Sequence, residues 1–230
     1  MSPIFKRKVY NHNHIIGHMR KPTNWDEYDS NPTSLLSKYF FFNFVTLAYS
    51  RLLKDVKFKE PIKILEFGCG TGYLDLFLAK KFNVKKITAI ELNKKMVEIT
   101  RKTLAPLDCE KEIVNKDFFK FKTNEQYNLV HSQGVIEHFD SKKRLELLKK
   151  HYDSTKKGGY CIVYFPTPSI AYRFFRKIAE IIGTWKFHDE VPIKKEIIIQ
   201  EMNSLGFKAI KVNYFWRWFL TEVGIIFKKD

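Results

Sequence analysis

A run of alternating glycines carries the clearest chemical signal in this chain. Residues 66–72 read Glu-Phe-Gly-Cys-Gly-Thr-Gly. Because glycine has no Cβ, such a turn lets a ligand lie against bare backbone while the chain reverses direction. A helix that follows would add the positive end of its dipole, which favours a carboxylate or a phosphate. The spacing is neither the dinucleotide G-x-G-x-x-G nor a P-loop, since no Gly-Lys-Ser/Thr follows.

Acidic and aromatic residues follow the glycines in an order that suits a nucleoside. Glu91 lies 25 positions after Glu66, and the acidic residue that binds ribose in dinucleotide folds lies ~20 positions beyond the glycines. Its carboxylate could accept hydrogen bonds from both ribose hydroxyls, although a plain surface carboxylate is the alternative interpretation. Further along, Asp117 could accept from an adenine amino group while Phe118 packs on the ring.

Two histidines are candidates for a general base. His138 lies in the segment 132–139, Ser-Gln-Gly-Val-Ile-Glu-His-Phe, and an imidazole with an unperturbed pKa of ~6.5 is a usable base near pH 7. His188 precedes Asp189, and that pair could line an acceptor pocket. Capping or packing at a helix start is the alternative for both histidines. We expect His131 to face the packing environment of its strand.

The amino-terminal region is rich in histidine and aromatic residues. The His-x-His spacing of His12 and His14, with His18 nearby, could bind a metal, but no cysteine or acidic cluster accompanies it, and we predict no metal site. Trp25 and Tyr28 could form an aromatic flap that closes over a cationic group through cation–π contact. Packing of that flap on the sheet edge is the alternative.

Alternating strand-like and helix-like segments would position these side chains. Their order predicts a parallel sheet wrapped by helices, with the last two strands as an antiparallel edge. We predict one domain at 35–230, an amino-terminal flap at 1–34, and a helical, lid-like insertion around 168–192. The predicted strands are 62–67, 86–90, 112–116, 127–131, 160–165, 207–214 and 219–227, and the predicted helices are 35–53, 73–82, 94–104, 141–152, 170–182 and 192–205.

The helix at 170–182 combines an apolar stripe with a basic flank. The stripe favours ordinary packing on the core. A lid over the pocket or contact with a membrane surface are the alternatives.

The chain is strongly basic, with 41 Lys and Arg against 25 Asp and Glu and a net charge of +16. Such a surface attracts nucleic acid, anionic lipid and small anions alike. The basic residues are scattered rather than gathered in one arm, so a solvated surface without a dedicated partner is an equally good interpretation.

The cellular setting is predicted from cysteine usage and hydropathy. Three cysteines with no C-x-x-C pair fit a reducing cytoplasm better than a disulfide framework. No secretory signal is visible. The most apolar stretch, 35–53, is interrupted by Lys38, Asn43 and Arg51, so it falls short of the ~20 apolar residues of a spanning helix. We therefore predict no transmembrane segment.

Taken in order, these motifs resemble the class I S-adenosylmethionine-dependent methyltransferase family. The run from Glu66 to Gly72 matches the family's E/D-x-G-x-G-x-G turn, Glu91 its acidic residue after the second strand, and Asp117 its adenine-side aspartate. The Val-Ile-Glu-His-Phe run is similar to that of small-molecule methyltransferases, including the ubiquinone/menaquinone-pathway type. The resemblance covers roughly residues 57–165.

The resemblance implies an α/β fold with a Rossmann-like, doubly wound, mostly parallel seven-stranded sheet, and S-adenosylmethionine bound over the carboxyl ends of its central strands. It assigns the methionine part to the glycine turn, the ribose to Glu91, the adenine to the 117–118 pair, and the sulfonium surroundings to the 132–134 segment. The implied cofactor-binding residues are Glu66, Gly68, Cys69, Gly70, Gly72, Glu91, Leu92, Asp117, Phe118, Ser132 and Gln133.

The acceptor is less well specified than the cofactor. Methyl transfer from a sulfonium is an in-line displacement in which positioning can supply most of the catalysis. A small-molecule acceptor, methylated on O, N or C, is the first expectation. RNA is an alternative raised by the basic surface, but the Asn/Asp-Pro-Pro-aromatic sequence of base-amine methyltransferases is absent. A non-catalytic interaction protein on the same fold is the other alternative, and peripheral membrane contact stays open.

Overall fold

The computed structural model describes Thr23, residues 34–215 and residues 221–230. Within these residues helices and strands alternate along most of the chain. The helices are α1 (Ser34–Leu52), α2 (Tyr73–Lys81), α3 (Lys94–Leu104), α4 (Ser141–Ser154), α5 (Ile170–Ile181) and α6 (Lys195–Ser204). The strands are β1 (Ile62–Phe67), β2 (Val84–Glu91), β3 (Glu110–Asn115), β4 (Tyr127–Gln133), β5 (Thr155–Pro166), β6 (Phe207–Phe215) and β7 (Glu222–Lys229).

The strands form one seven-stranded sheet in the order β3-β2-β1-β4-β5-β7-β6. β1 to β5 run parallel, and β7 is antiparallel to both β5 and β6. This confirms the prediction of a mostly parallel, doubly wound sheet with an antiparallel carboxyl-terminal edge. The strand order reverses between β1 and β4, and open α/β sheets bind ligands in the crevice at such a reversal.

Period-two alternation in β1 divides the core between the two faces of the sheet. Ile62 and Ile64 pack with apolar residues of α1 and α2. Leu65 and Phe67 pack on the other face with apolar residues of α4 and α6. Both faces are therefore covered, as a parallel sheet requires. A ligand can then bind at the ends of the strands.

The start of helix α4 differs by one residue from the sequence prediction. Asp140, rather than the predicted Ser141, is the capping residue, and its carboxylate accepts a hydrogen bond from Lys143 N at 2.9 Å. The cap satisfies an amide that has no partner within the helix. Strand β5 is also longer than the predicted 160–165, since it begins at Thr155.

Helix α6 begins at Lys195 and not at the predicted Pro192. Ile193 N donates to Pro166 O at 2.9 Å, so this stretch pairs with the end of β5 instead of continuing a helix. Tertiary pairing therefore decides where the helix begins.

The apolar stripe of α5 does not pack on the core, and that expectation was wrong. The exposed fractions are 89% for Ile170, 60% for Phe174, 76% for Ile181 and 67% for Ile182. The buried side of this helix carries Tyr172 instead, which is 3% exposed. No described helix has the length and apolar character needed to cross a membrane.

The predicted flap falls almost wholly outside the described residues. Among 1–34, the structure describes Thr23 and the backbone of Ser34. The candidate flap residues Trp25 and Tyr28, and the three histidines at 12, 14 and 18, lie outside the described residues.

Candidate active site

The glycine turn connects the end of β1 to the start of α2. Gly68 N and Cys69 N both donate to Ile90 O, at 2.9 and 3.1 Å, which fastens the turn to β2. Gly68 has φ 73°, and a Cβ there would lie 2.8 Å from a methyl group of Val135. A Cβ on Gly70, by contrast, would meet no described atom within 4 Å. The turn is thus closed at its first glycine and open to a ligand at its second.

Glu91 lies at the end of β2 and faces this open part of the turn. Its Oε2 accepts from Gly70 N at 2.9 Å, and its Oε1 accepts from Asn93 N at 2.8 Å. Each carboxylate oxygen has further acceptor capacity beyond one such bond. The neighbouring Leu92 is 65% exposed. The two oxygens therefore present paired acceptors next to open space, an arrangement that suits a diol.

Asp117 and Phe118 lie in the turn after β3. The Asp117 carboxylate accepts from Phe119 N at 2.9 Å and caps its own turn. The Phe118 ring lies in an aromatic cluster, with centroid distances of 6.3 Å to Phe67, 4.9 Å to Phe119 and 5.8 Å to Phe139. These contacts hold Phe118 in a fixed position at the carboxyl edge of the sheet.

A buried polar cluster lies beneath the glycine turn. His131, in β4, places Nε2 3.2 Å from Asp75 Oδ1 and Nδ1 3.4 Å from Glu66 Oε1. The hydroxyl of Tyr49 in α1 lies 3.4 Å from the same Nδ1. Burial, together with the charge of Asp75, raises the pKa of Glu66 well above its usual range. The expectation that His131 faces packing is confirmed, since it is fully buried.

Two carboxylate oxygens in this cluster have no hydrogen-bond partner among the described residues, Glu66 Oε2 and Asp75 Oδ2. Buried acceptors of this kind are costly unless a donor reaches them. The cluster is therefore suited to a ligand that brings a cationic or hydrogen-bond-donating group to the turn.

Two of the expected cofactor-binding residues have buried side chains, and a third is half-buried. The Ser132 hydroxyl lies 2.9 Å from His151 Nε2 in the core, which leaves its backbone for the crevice. The Cys69 thiol is buried 3.6 Å from the Thr100 hydroxyl. Gln133 is half-buried at the carboxyl end of β4.

The two candidate histidines have different environments. His138 is partly buried, and its Nδ1 lies 2.8 Å from Asp189 Oδ1. The same carboxylate accepts from the amide and the hydroxyl of Thr23. Burial acts to raise the pKa of Asp189, but the bonds from Thr23 and His138 outweigh it and lower that pKa. His188 is exposed. Asp189 therefore pairs with His138, 51 residues away in the chain, and the role predicted for the exposed His188 stays a prediction.

Comparison with known proteins concerns the fold and its central domain. Residues 64–159 match the model of a family described as a methyltransferase domain. The fold is similar to that of a magnesium protoporphyrin IX methyltransferase from Synechocystis, solved with bound SAH, at a TM-score of 0.65 and 14% identity, covering 91% of this chain and 90% of that one. Residues 64–159 thus match a methyltransferase domain, and the fold is similar to that of an S-adenosylmethionine-dependent methyltransferase.

Two curated relatives to which the chain is similar are named for different acceptors. The chain is 34% identical over 102 residues to a malonyl-[acyl-carrier protein] O-methyltransferase of Priestia megaterium, which covers 44% of this chain and 36% of that relative. It is 33% identical over 128 residues to an rRNA adenine N-6-methyltransferase of Limosilactobacillus reuteri, covering 54% and 49%. The chain therefore spans about a third to a half of the length of these two curated relatives.

The structure places acidic side chains close to His138 that the sequence analysis did not select. Glu137 is 2% exposed, and burial, followed by the charge of Glu190, raises its pKa well above the usual range. Glu190 accepts a hydrogen bond from the Tyr172 hydroxyl. Burial also raises the pKa of Glu222 to about 7. These carboxylates come from three separate segments, so no local spacing in the sequence could have indicated them.

Proposed function

We propose that the protein is an S-adenosylmethionine-dependent methyltransferase that transfers a methyl group in line to an O, N or C atom of a small-molecule acceptor. The observation that carries the proposal is the contact between Glu91 and the amide of Gly70. It places two acceptor oxygens beside the one open position of the glycine turn. In the methyltransferase family that the motifs resemble, such a site holds a nucleoside with an attached amino acid.

The residues present fit that cofactor. The unpartnered oxygen of Glu66 suits an α-ammonium group at the turn, and the amino end of α2 suits the adjacent carboxylate. Glu91 would accept from the ribose hydroxyls, while Asp117 and Phe118 would contact the adenine. When bound, the cofactor supplies an activated methyl group on a sulfonium.

The chain's own residues would orient the acceptor and remove its proton. If the acceptor loses a proton in the reaction, His138 is the proposed base. The ionised Asp189 accepts a hydrogen bond from Nδ1, so Nδ1 carries the proton and Nε2 is the atom that would take one from the acceptor. Because His188 is exposed, the proposal gives it no proton-transfer role.

RNA is the second candidate acceptor. The similarity to an rRNA adenine N-6-methyltransferase and the net charge of +16 favour it. The end of β4 and the turn after it read Ser-Gln-Gly-Val rather than Asn/Asp-Pro-Pro-aromatic, which favours the small molecule. If RNA is the acceptor, the affinity for RNA should fall steeply with added salt, because contacts with RNA phosphates release counterions.

A reducing cytoplasmic setting is part of the proposal. The three cysteines are free thiols, and two of them, Cys69 and Cys161, are buried. Burial raises the pKa of both thiols, which keeps them protonated and unreactive. Free, protonated thiols of this kind fit a reducing compartment.

Cofactor binding is the first test of the proposal. Titration calorimetry with S-adenosylmethionine should show binding to the parent and a roughly 10-fold or greater loss in Glu91→Ala, because ribose hydrogen bonds to a charged group are lost. Glu98→Ala, a 63% exposed glutamate of helix α3, is the matched control and should bind like the parent. No binding by the parent would refute the proposal.

Transfer is the second test. The protein is incubated with methyl-labelled cofactor and fractionated cell extract, and label is followed into the small-molecule, lipid and RNA pools. Label in small molecules or lipids supports the first candidate, and label in RNA supports the second. Cofactor binding without transfer into any pool would indicate the non-catalytic alternative.

A further inference from the structure

We propose that the outer face of helix α5 binds the surface of an anionic phospholipid bilayer. This inference goes beyond methyl transfer and does not depend on it. Its starting point is the contiguous apolar surface of this helix, where Ile170, Phe174 and Ile181 are 89%, 60% and 76% exposed. Ile182, at the end of the helix, is 67% exposed. Large apolar side chains that cluster in this way, rather than singly, indicate a binding surface.

The apolar residues lie opposite the side that anchors the helix. At about 100° per residue, Ile170, Phe174 and Ile181 fall within an arc of roughly 40°. Tyr172 lies on the opposite side, where it is 3% exposed and donates to Glu190. Arg176, on that side as well, donates to the backbone carbonyl of Glu190 at 2.8 Å. The helix is thus fixed from behind and presents its apolar face outward.

Uncompensated positive charge borders this apolar face. Arg173 and Lys177 are exposed and form no ion pair in the part of the chain that the structure describes. The acidic residue of the helix, Glu180, is already paired with Arg176 at 2.8 Å. An apolar helix face flanked by free cations matches a membrane interface, with acyl chains meeting the apolar groups and anionic headgroups meeting the cations. The net charge of +16 also favours binding to an anionic surface.

A bilayer fits this surface better than a second copy of the chain. In a two-fold dimer that buried the α5 faces, Arg173 and Lys177 would approach their own counterparts, and like charges at an interface are unfavourable. A bilayer with anionic headgroups brings opposite charge to the same positions. Charge complementarity therefore selects the lipid surface.

Docking through α5 would bring the candidate site to the membrane. The residue that Tyr172 binds, Glu190, directly follows Asp189, which holds His138. The buried side of α5 is therefore hydrogen-bonded to the segment that orients the proposed base. In the bound protein the Asp189–Glu190 segment would lie directly behind the membrane-bound helix.

Vesicle binding tests the proposal directly. The protein is mixed with vesicles of phosphatidylcholine alone, or with vesicles that also contain about 30% phosphatidylglycerol and so have an anionic surface. Bound protein is measured by flotation. The parent should float with the anionic vesicles. The double variant F174E/I181E should bind at least about 10-fold more weakly, because it removes apolar contact and adds like charge.

A matched control separates the α5 face from general surface charge. Ile210→Glu changes an isoleucine of β6 that is 45% exposed and should bind like the parent. Thermal unfolding of each variant checks the fold. Absence of parent binding, or equal binding by parent and F174E/I181E, overturns the proposal. So does a parent dimer, seen by light scattering, that becomes monomeric in F174E/I181E, since the occupant would then be a second copy.

Discussion

The imidazole of His138 and the carboxylate of Asp189 are in direct hydrogen-bond contact, with 2.8 Å between Nδ1 and Oδ1 across 51 residues of chain. Val191 N donates to Glu137 O at 2.9 Å beside them, so the two segments are joined by backbone as well as by side chains. This contact fixes the orientation of the imidazole, and in the proposed mechanism it keeps the proton on Nδ1.

The first prediction concerns that contact. Asp189→Asn preserves shape but removes the charge that holds the proton on Nδ1, so transfer to an acceptor that must lose a proton should fall about 100-fold. Cofactor affinity should be unchanged, because Asp189 does not reach the glycine turn. Steady-state kinetics and calorimetry measure the two quantities. His188→Asn should leave turnover intact, and a loss as large as that of Asp189→Asn would assign the base role to His188 instead.

The second prediction concerns Gly68. In Gly68→Ala a Cβ at φ 73° would lie 2.8 Å from a Val135 methyl group. We expect a loss of roughly 2–4 kcal/mol in the free energy of unfolding, from left-handed backbone and overpacking together. Adding Val135→Ala should recover the overpacking part but leave about 1 kcal/mol of backbone strain. Urea denaturation measures all three proteins, and a double variant no better than Gly68→Ala would contradict the packing explanation.

The third prediction concerns the ionisation of Glu66. Burial and the charge of Asp75 raise the pKa of Glu66, so the carboxyl holds a proton at a pH where an exposed glutamate is ionised. A bound α-ammonium would favour the ionised form, so cofactor binding should release protons and tighten as the pH rises towards that pKa. Calorimetry in buffers with different ionisation enthalpies counts the protons. Glu66→Gln should abolish the release, and an unchanged count in that variant would exclude Glu66 as the source.

The fourth prediction is a pH-dependent stability that comes from His151. Burial lowers its pKa from 6.5 to about 4 and outweighs the bond from Nδ1–H to Leu147 O, which acts to raise the pKa. In the neutral ring, Nε2 accepts from the Ser132 hydroxyl. Below pH 6.5 the unfolded chain binds a proton that the folded chain does not, so stability falls until about pH 4. Between pH 7 and pH 5 this amounts to about 2 kcal/mol.

The variant His151→Gln isolates that contribution. Its free energy of unfolding should be lower than the parent's at pH 7, but the part of the pH dependence that His151 causes should be missing. Chemical denaturation at a series of pH values gives both curves. Parallel curves for parent and variant between pH 7 and pH 5 would show that another group is responsible.

The sequence predicted those features of the crevice that depend on neighbouring residues. The glycine turn and Glu91 each follow a β-branched strand, and strand ends are recognisable from local composition. Their contact, Glu91 Oε2 to Gly70 N, is the expected result of two parallel neighbours ending at one edge. The outward face of α5 was misjudged because an apolar stripe has the same period whether it packs inside or remains exposed.

What the sequence by itself determined is the alternating α/β architecture, the antiparallel carboxyl-terminal edge and the motifs of a methyltransferase, because these follow from local periodicity and short spacings. Only the tertiary structure decided which distant groups meet. Asp189 reaches His138, and Glu66, Asp75 and His131 share one buried cluster, because three-dimensional packing brings together residues whose separation in sequence has no period. The same packing decided that α5 turns Tyr172 inward and its isoleucines outward.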